Sequence, residues 1–323
     1  MKHREHDDGQ PPGMVRVPAA TFSMGSDTAY EEERPRRRVA VDGFWIDRTP
    51  VTNNQFAAFV AATGYVTLAE IAPDPGMYPG LQPEQCVAGS AVFVAPAGPV
   101  PLSQPDAWWR WVIGANWQHP AGPRSSIEGI GDHPVVHIAH QDAAAYARWA
   151  GKSLPTEAEW ELAAGGGLDG TAFPWGEELA PDGKGMCNHW HGEFPWQDLK
   201  PPGAARTSAV GSFPPNCYGI VDMIGNVWEW TDDWYGLAQP NSGRACCVPR
   251  NPRGSSRDDS IDHDWGGAVP RKVLKGGSHL CAPNYCERYR PSARIPQPVD
   301  TTTSHVGFRC VLRGPAWHNQ DWH

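Results

Sequence analysis

Two cysteines with a spacing suited to joint chemistry lie in the C-terminal part of the chain. Cys281 and Cys286 are five positions apart, and the first follows the Gly-Gly-Ser sequence of residues 276–278. Cysteine acts as a nucleophile or a metal ligand in its thiolate form, and nearby cations lower the thiol pKa. Arg288 and Arg290 follow closely on the second cysteine. We therefore expect a pair of activated thiols in this segment.

Three kinds of site fit such a pair. A structural disulfide is disfavoured in a reducing compartment. A structural zinc site needs about four ligands, and no second cysteine pair with a suitable spacing is present. Thiolates select Cu(I) among the available metals, and two sulfurs suffice for near-linear coordination with space for a third, incoming thiolate. The local chemistry favours the copper site but leaves the other two open.

The expected compartment and partners follow from charge and hydropathy. Residues 1–10 are charged and polar and lack the apolar stretch of a signal peptide. The sequence contains no run of about 20 apolar residues, which a transmembrane helix would need. We therefore expect a cytoplasmic protein with no membrane partner. The formal net charge is −9 and basic stretches such as residues 34–38 are short. This charge pattern argues against a nucleic-acid partner.

The composition predicts many turns and few long helices. The 323 residues include 35 Gly, 33 Pro and 16 Trp, which is typical of loop-rich domains with aromatic packing. Alternating apolar positions predict short antiparallel strands within residues 14–46. Helices are predicted over residues 56–62 with a cap at Thr52 or Asn53 and a stop at Gly64, over residues 142–149, and from the Thr156–Glu159 capping box.

The rest of the chain predicts little regular structure. Residues 70–130 are rich in Pro and Gly and indicate a long irregular segment. Beyond Gly165 we expect loops and short strands, the last over residues 307–312. No internal repeat or interdomain linker is present. We expect one α+β domain over residues 14–315, with tails at 1–13 and 316–323.

The segment around the cysteine pair closely resembles the C-terminal signature of formylglycine-generating enzymes of the bacterial type, also called sulfatase-modifying factors. The strings at residues 154–160 (LPTEAEW) and 225–230 (GNVWEW) also match, but the wider superfamily shares them, so they specify the fold more than the activity. The resemblance implies a single-domain formylglycine-generating-enzyme fold, related to C-type lectins. Matching strings run along nearly the whole chain, at residues 24–26, 47–53, 114–117, 133–135, 149–152, 276–294 and 304–310.

The resemblance implies a copper-dependent oxidase. Such an enzyme uses O2 to convert the cysteine of a Cys-X-Pro-X-Arg segment, in an unfolded or nascent client sulfatase, into formylglycine. Cys281 and Cys286 would hold Cu(I) together with the client thiolate, and the oxidised client would pass through a thioaldehyde that hydrolyses. Ser278 matches a residue of the oxygen-side pocket, and Trp228 and Tyr285 match cavity-lining residues. We expect a monomer with an open cleft.

Several positions depart from the family pattern. His305 occupies a position where the family usually has Asn. Both side chains donate and accept hydrogen bonds, so His305 could either pack in the domain or contact the client, and the sequence leaves both roles open. Secreted animal members of the family carry structural disulfides. Partner positions of those disulfides hold Ala147 and Pro291 here, so Cys310 is expected to be a buried free thiol. The other cysteines are predicted to be unrelated free thiols, namely Cys86, Cys187, Cys217, Cys246 and Cys247.

The resemblance also implies structural calcium. Two sets of calcium ligands are expected. The second set contains Asn188 and the His189 carbonyl oxygen, and the position of its acidic ligand falls at Pro202 or Ala204, with Asp198 nearby. Because Pro202 has no side-chain oxygen, we expect that second site to be weak, rebuilt or empty. The first set, with two carboxylates and backbone carbonyls as hard-cation ligands, consists of Asp222, Gly225, Val227 and Glu229.

Other functions of the same fold stay in view. A non-catalytic binding or scaffold protein would bind a partner without copper, and the presence of both thiols disfavours it. An iron-dependent sulfoxide synthase would need an additional helical domain with a His-rich iron site, for which this sequence has no motif. The same oxidation of a client other than a sulfatase cannot be distinguished by sequence.

Overall fold

The computed structural model of the chain describes residues 10–76, 78, 82, 86–200, 206–237, 248–263 and 269–314. Residues 1–9 and 316–323 of the expected tails therefore lie outside the described part. The predicted α+β class with low regular content is confirmed. The helices are α1 (Asn53–Thr63), α2 (His140–Trp149) and α3 (Glu157–Gly165). The strands are β1 (Met14–Val17), β2 (Ala20–Met24), β3 (Arg37–Val41), β4 (Phe44–Asp47), β5 (Gly89–Phe93), β6 (Trp109–Ile113), β7 (Trp228–Trp234), β8 (Arg271–Lys275), β9 (Arg294–Pro298), β10 (Val306–Gly307) and β11 (Val311–Arg313).

Strands from both ends of the domain share one sheet. β1 and β11 each pair antiparallel with β4, where Ile46 lies opposite Val15 on one side and Val311 on the other. Ile46 and Val311 are fully buried, so this sheet contributes to the main core. β2 and β3 form a separate antiparallel pair. The short antiparallel strands predicted within residues 14–46 are confirmed.

Side-chain caps set the helix starts. α3 begins at the predicted capping box and α1 is capped by Thr52, one of its two predicted caps; the hydroxyls of Thr52 and Thr156 accept a hydrogen bond from the amide three residues on. Gly64 ends α1 with a φ of 66°, as the sequence predicted. α2 begins at His140, two residues before its predicted start, because the Asp142 carboxylate accepts a hydrogen bond from the amide that precedes the helix.

A four-stranded sheet in the order β10-β7-β8-β9 positions the cysteine pair. Lys275 at the end of β8 lies opposite Arg294 at the start of β9, so the loop of residues 276–293 has both ends fixed at neighbouring points. The Lys275 ammonium lies 2.7 Å from Glu161, and the Arg294 guanidinium lies 2.6 Å from Glu157. Both acids belong to α3. These ion pairs therefore tie both ends of the loop to one helix.

Two strand predictions were wrong in part. Residues 70–130 are not irregular throughout, because β5 and β6 form an antiparallel pair inside them. The long connection between these strands hides the pairing from a search for tight turns. The strand predicted over residues 307–312 is divided, since β10 pairs parallel with β7 and β11 pairs with β4. Between them Arg309 points into the core and binds Glu229.

The cysteine loop lies between two hydrophobic clusters. Cys281 packs in the main core, whereas its neighbours Leu280 and Ala282 pack in a smaller aromatic cluster with Trp108 and Phe194. Burial on both sides restricts the loop even though it contains no helix or strand. Within the described part of the chain, no helix is long and apolar enough to cross a membrane.

Candidate active site

Two glycines let the cysteine loop fold closely on itself. Gly276 and Gly277 have φ values of 90° and 72°, which a residue with a side chain adopts only at a cost. A Cβ added to Gly277 would lie 2.6 Å from the carbonyl oxygen of Arg288. Gly277 therefore allows the backbone that follows Cys286 to return to the turn that precedes Cys281.

The two cysteines meet at this turn. Their side chains interact with each other, and each shifts the pKa of the other. The Cys281 amide donates to the Ser278 carbonyl at 3.0 Å, and the Cys281 sulfur accepts from the Ser278 amide at 3.4 Å. The Cys286 amide donates to the Ala282 carbonyl at 2.9 Å. Cys281 is buried and Cys286 is partly buried, so the pair has an inner and an outer sulfur.

The surroundings make the two thiols unequal. The hydrogen bond from Cys281 lowers the pKa of Cys286 against the effect of burial, and the guanidinium and amide of Arg288 lower it further. Burial raises the pKa of Cys281 well above its ordinary value. Cys286 is therefore the first to become a thiolate, while Cys281 keeps the shared proton. Arg290, the second cation expected to activate the pair, binds Glu33 instead.

An aromatic surface adjoins the outer sulfur. Tyr285, which directly precedes the partly buried cysteine, is 41% exposed. Its ring stacks on Phe194 at a centroid distance of 4.5 Å and meets the edge of Trp108 at 5.6 Å. Trp228 is 3% exposed and packs in the same core cluster as Cys281. Of the two predicted cavity-lining residues, Tyr285 is thus exposed next to Cys286 and Trp228 is buried in the core, and the role of Trp228 in lining the cavity stays a prediction.

Ser278 and His305 have defined packing partners. Ser278 has no exposed surface, and its hydroxyl accepts from the Leu280 amide at 3.2 Å. The Nδ1 atom of His305 lies 2.9 Å from the Thr303 hydroxyl, and its ring centroid lies 4.9 Å from that of Trp109. Burial lowers the pKa of His305, so the imidazole is neutral at pH 7. These contacts give His305 a packing role, and its contact with a client stays a prediction.

A cavity of about 440 Å³ is lined by His279 and Ser304, the chain neighbours of Ser278 and His305, and Phe93 contributes an apolar side. A cavity of this size can enclose a side chain or a small ligand. Neither cysteine of the pair is part of its wall.

The cysteine pair fits a soft monovalent ion. Sulfur donors prefer Cu(I) over hard cations, and the outer sulfur is both accessible and readily ionised. Among the described residues, no group of three or more His, Cys, Asp or Glu side chains is placed to hold a metal ion. A closed zinc site with four protein ligands is therefore not present in this part of the chain. Cys281 and Cys286 are the residues that would hold copper.

The first set of expected calcium ligands contains an arginine. The guanidinium of Arg309 donates to both carboxylate oxygens of Glu229, at 2.7 and 2.8 Å, and neutralises its charge. Burial raises the pKa of Asp222 to about 6, and this second carboxylate accepts a hydrogen bond from the Gly211 amide at 2.7 Å. Calcium needs several oxygen ligands, and the set as placed does not fit it while Arg309 covers Glu229. Calcium bound through these two acids with Gly225 and Val227 stays a prediction.

The second set of expected calcium ligands contains a lysine. The ammonium of Lys200 lies 3.2 Å from the Asn188 side-chain oxygen and 3.6 Å from Asp198. The Nδ1 atom of His189 lies 2.9 Å from the carbonyl oxygen of the next residue. Positions 202 and 204 lie outside the described residues. Because an ammonium already provides the positive charge beside Asn188, the described residues of this set do not fit calcium, and a rebuilt site stays a prediction.

The remaining cysteines take no part in the pair. Cys86, Cys187 and Cys217 are free thiols, and Cys310 is a buried free thiol, as predicted. Cys246 and Cys247 lie outside the described residues.

An acidic turn near the N-terminus contacts the loop and was not recognised from the sequence. Tyr30, Glu32 and Glu33 bind the residues that follow Cys286. The opposite charges of residues 31–33 and 288–290 were a visible signal, but the two segments are too far apart in sequence for local reasoning to join them.

Comparison with known proteins agrees with this arrangement. The sulfatase-modifying factor enzyme 1-like domain matches residues 2–314. The formylglycine-generating enzyme of Mycobacterium tuberculosis is 50% identical over 302 residues, covering 92% of this chain and 97% of that protein. A Bos taurus protein named inactive C-alpha-formylglycine-generating enzyme 2 is 36% identical over 310 residues, covering 95% of this chain and 90% of that protein.

The fold has a counterpart among solved structures. PvdO from Pseudomonas aeruginosa superposes with a TM-score of 0.59 at 23% identity, over 93% of this chain and 94% of that chain. The predicted formylglycine-generating-enzyme fold, related to C-type lectins, is confirmed. With one family domain matching nearly its whole length, the chain belongs to the sulfatase-modifying factor enzyme 1-like family.

Proposed function

We propose that the protein is a copper-dependent oxidase that converts the cysteine of a Cys-X-Pro-X-Arg segment in a client sulfatase into formylglycine, with O2 as co-substrate. The observation on which this depends is the hydrogen-bonded pair of Cys281 and Cys286 beside the exposed ring of Tyr285. The 50% identity to a formylglycine-generating enzyme over almost the whole chain supports the reaction. The inactive relative at 36% identity means that the fold alone does not guarantee it.

The residues of the pair divide the work of holding the metal. When bound, Cu(I) would supply the redox chemistry through which O2 takes electrons from the client thiol. Cys286 offers a sulfur that is readily deprotonated and partly accessible, and Cys281 offers a buried sulfur fixed by Ser278. Cys281 must give up its proton for both sulfurs to bind a metal as thiolates. The buried Ser278, whose amide contacts the Cys281 sulfur, keeps water from the inner side of the pair.

The client cysteine undergoes a two-electron oxidation followed by hydrolysis. Its thiol and Cβ together lose two hydrogens, which gives a thioaldehyde, and O2 accepts the two electrons and the two protons as hydrogen peroxide. Water then adds to the thioaldehyde carbon, and the sulfur leaves as hydrogen sulfide, so that an aldehyde remains. An extended client peptide would lie across the exposed ring of Tyr285, since an aromatic ring presents a flat apolar surface to a proline. A client cysteine next to this ring would lie near Cys286, the residue that follows Tyr285.

A peptide assay tests the proposal. Purified protein is incubated with Cu(I), O2 and a Cys-X-Pro-X-Arg peptide, and the product is weighed and trapped with an aldehyde-specific probe. We expect conversion that requires both copper and O2. Cys281→Ala and Cys286→Ala should abolish it, whereas Cys187→Ala and Cys217→Ala, which remove free thiols outside the pair, should retain it. An unchanged peptide, or equal conversion by Cys286→Ala, would refute the proposal.

The same assay separates the other candidates. A non-catalytic scaffold protein would bind the peptide and leave its mass unchanged. An oxidase with another client would convert a cysteine peptide of a different sequence faster than the Cys-X-Pro-X-Arg peptide. We further propose that the active unit is a cytoplasmic monomer, which light scattering of the purified protein and cell fractionation would check.

A further inference from the structure

The acidic turn of residues 30–33 lies directly against the segment that bears the outer cysteine. The hydroxyl of Tyr30 accepts a hydrogen bond from the Glu287 amide at 3.1 Å. The guanidinium carbon of Arg288 lies 3.8 Å from the centre of the Tyr30 ring, well within the range of a cation–π contact. Tyr30 therefore contacts both the backbone and a side chain of the two residues that follow Cys286.

Two glutamates extend this contact along the segment. Glu32 accepts two hydrogen bonds from Arg288, at 2.6 and 3.1 Å. Glu33 binds Arg290 through both of its oxygens, at 2.6 and 3.0 Å, and also accepts from the Ser292 hydroxyl at 2.7 Å. The Glu33 side chain has no exposed surface. Bidentate pairs between arginine and carboxylate fix orientation as well as distance.

This turn contacts a segment that has no regular secondary structure. Residues 282–293 contain no helix or strand, so individual contacts determine where they lie, those of Tyr285 and Asn284 with Phe194 on one side and those of the acidic turn on the other. Arg288 is the second residue after Cys286, and the Arg288 carbonyl lies against Gly277. Holding Arg288 in place therefore restricts how far the backbone of the outer cysteine can move from the turn that precedes the inner one.

We propose that Tyr30, Glu32 and Glu33 are positioning residues, which hold Cys286 against Cys281 so that the two sulfurs can share one soft metal ion. This inference rests on the proposed function. The three residues act through Arg288 and Arg290 and contact neither the metal nor the client. Outer contacts of this kind commonly change metal affinity by about 10-fold to 100-fold when they are removed.

Conservative variants test the inference. Glu32→Gln and Glu33→Gln remove the charge of each acid at constant size, and Tyr30→Phe removes the hydroxyl but keeps the ring. Glu31→Gln, in the same turn but exposed, is the matched control for the change of charge. Glu159→Gln breaks a similar bidentate pair with Arg313 elsewhere in the domain and controls for a general loss of stability.

Two measurements report on the position of the sulfur. Cu(I) affinity is obtained by anaerobic competition with a coloured Cu(I) chelator, and the alkylation rate of Cys286 in copper-free protein is obtained by mass spectrometry. We expect Glu32→Gln and Glu33→Gln to bind Cu(I) about 10-fold to 100-fold more weakly and to alter the alkylation rate. Both controls should match the wild type in both measurements, and Glu32→Asp should recover part of the affinity.

The possible failures have different meanings. Wild-type affinity in Glu32→Gln, Glu33→Gln and Tyr30→Phe, with only a lower melting temperature like that of Glu159→Gln, would overturn the inference. If Glu33→Gln does not fold, Glu32→Gln still decides, because Glu32 is partly exposed. If the wild type neither binds Cu(I) nor converts peptide, the proposed function fails. The positioning role is tested independently of copper by the alkylation rate of Cys286, and an unchanged rate in the variants would overturn that role.

Discussion

Replacing Gly277 with alanine tests whether the close approach of the loop creates the cysteine pair. Gly277 has a φ of 72°, and an alanine in this left-handed region costs about 1–2 kcal/mol. Its Cβ would also lie 2.6 Å from the carbonyl oxygen and 2.8 Å from the carbonyl carbon of Arg288. Relieving such overpacking costs about 1–3 kcal/mol more. We expect Gly277→Ala to lower the free energy of unfolding by about 2–5 kcal/mol in total.

Gly64 provides a matched control for the backbone cost alone. It has a φ of 66°, and nothing lies within 4 Å of its added Cβ. Gly64→Ala should therefore cost only about 1–2 kcal/mol and leave activity unchanged. Urea denaturation of both variants gives the difference that is due to contact with Arg288.

The same pair of variants separates stability from function. If the contact is relieved by moving residues 286–288 away from the turn, Gly277→Ala should also lose Cu(I) affinity and peptide conversion at a temperature where it stays folded. A Gly277→Ala protein that is no less stable than Gly64→Ala, and that binds Cu(I) as the wild type does, would refute this account of how the two sulfurs are brought together.

Three further outcomes are expected. Arg309→Met should lower the free energy of unfolding by about 3–5 kcal/mol, because it leaves Glu229 buried without its cation; an unchanged urea midpoint would contradict this. In a pH series of iodoacetamide labelling, Cys286 should react at a lower pH than an ordinary thiol, because the hydrogen bond from Cys281 lowers its pKa. Cys281 should stay unreactive, because burial raises the pKa of its thiol. Burial lowers the pKa of His137 to about 4, so below about pH 6.5 the unfolded chain takes up a proton that the folded chain excludes. The contribution of His137 to the free energy of unfolding should therefore decrease by about 1.4 kcal/mol per pH unit as the pH falls towards 4. Melting temperatures that depend on pH as steeply in His137→Gln as in the wild type would argue against it.

Features determined by neighbouring residues could be predicted from the sequence. The capping boxes at Thr52 and Thr156 and the stop at Gly64 depend on side chains within a few positions of the helix end. The short strands of residues 14–46 depend on alternation along each strand. The Gly-Gly turn before Cys281 also depends on local residue type, because glycine adopts the positive φ values of this turn more readily than other residues.

Features that join distant segments could not be predicted in this way. β5 and β6 pair across a connection that is too long for the short hairpin loops by which a pairing is recognised in sequence. The ion pairs of Glu32 and Glu33 join residues 256 and 257 positions apart in the chain. Single-sequence reasoning sees the two charges but has no basis for choosing one partner among the many arginines of the chain.

The electrostatics of buried polar groups show the same limit most clearly. Glu229 and Asn188 are expected in cation sites because they match calcium ligands of the family, and their side-chain oxygens suit that role. In the structure a cation does lie beside each of them, but it is the guanidinium of Arg309 in one case and the ammonium of Lys200 in the other. The need for positive charge at Glu229 follows from the type of residue, since a buried carboxylate without a partner is costly. Which cation meets that need depends on the path of the chain.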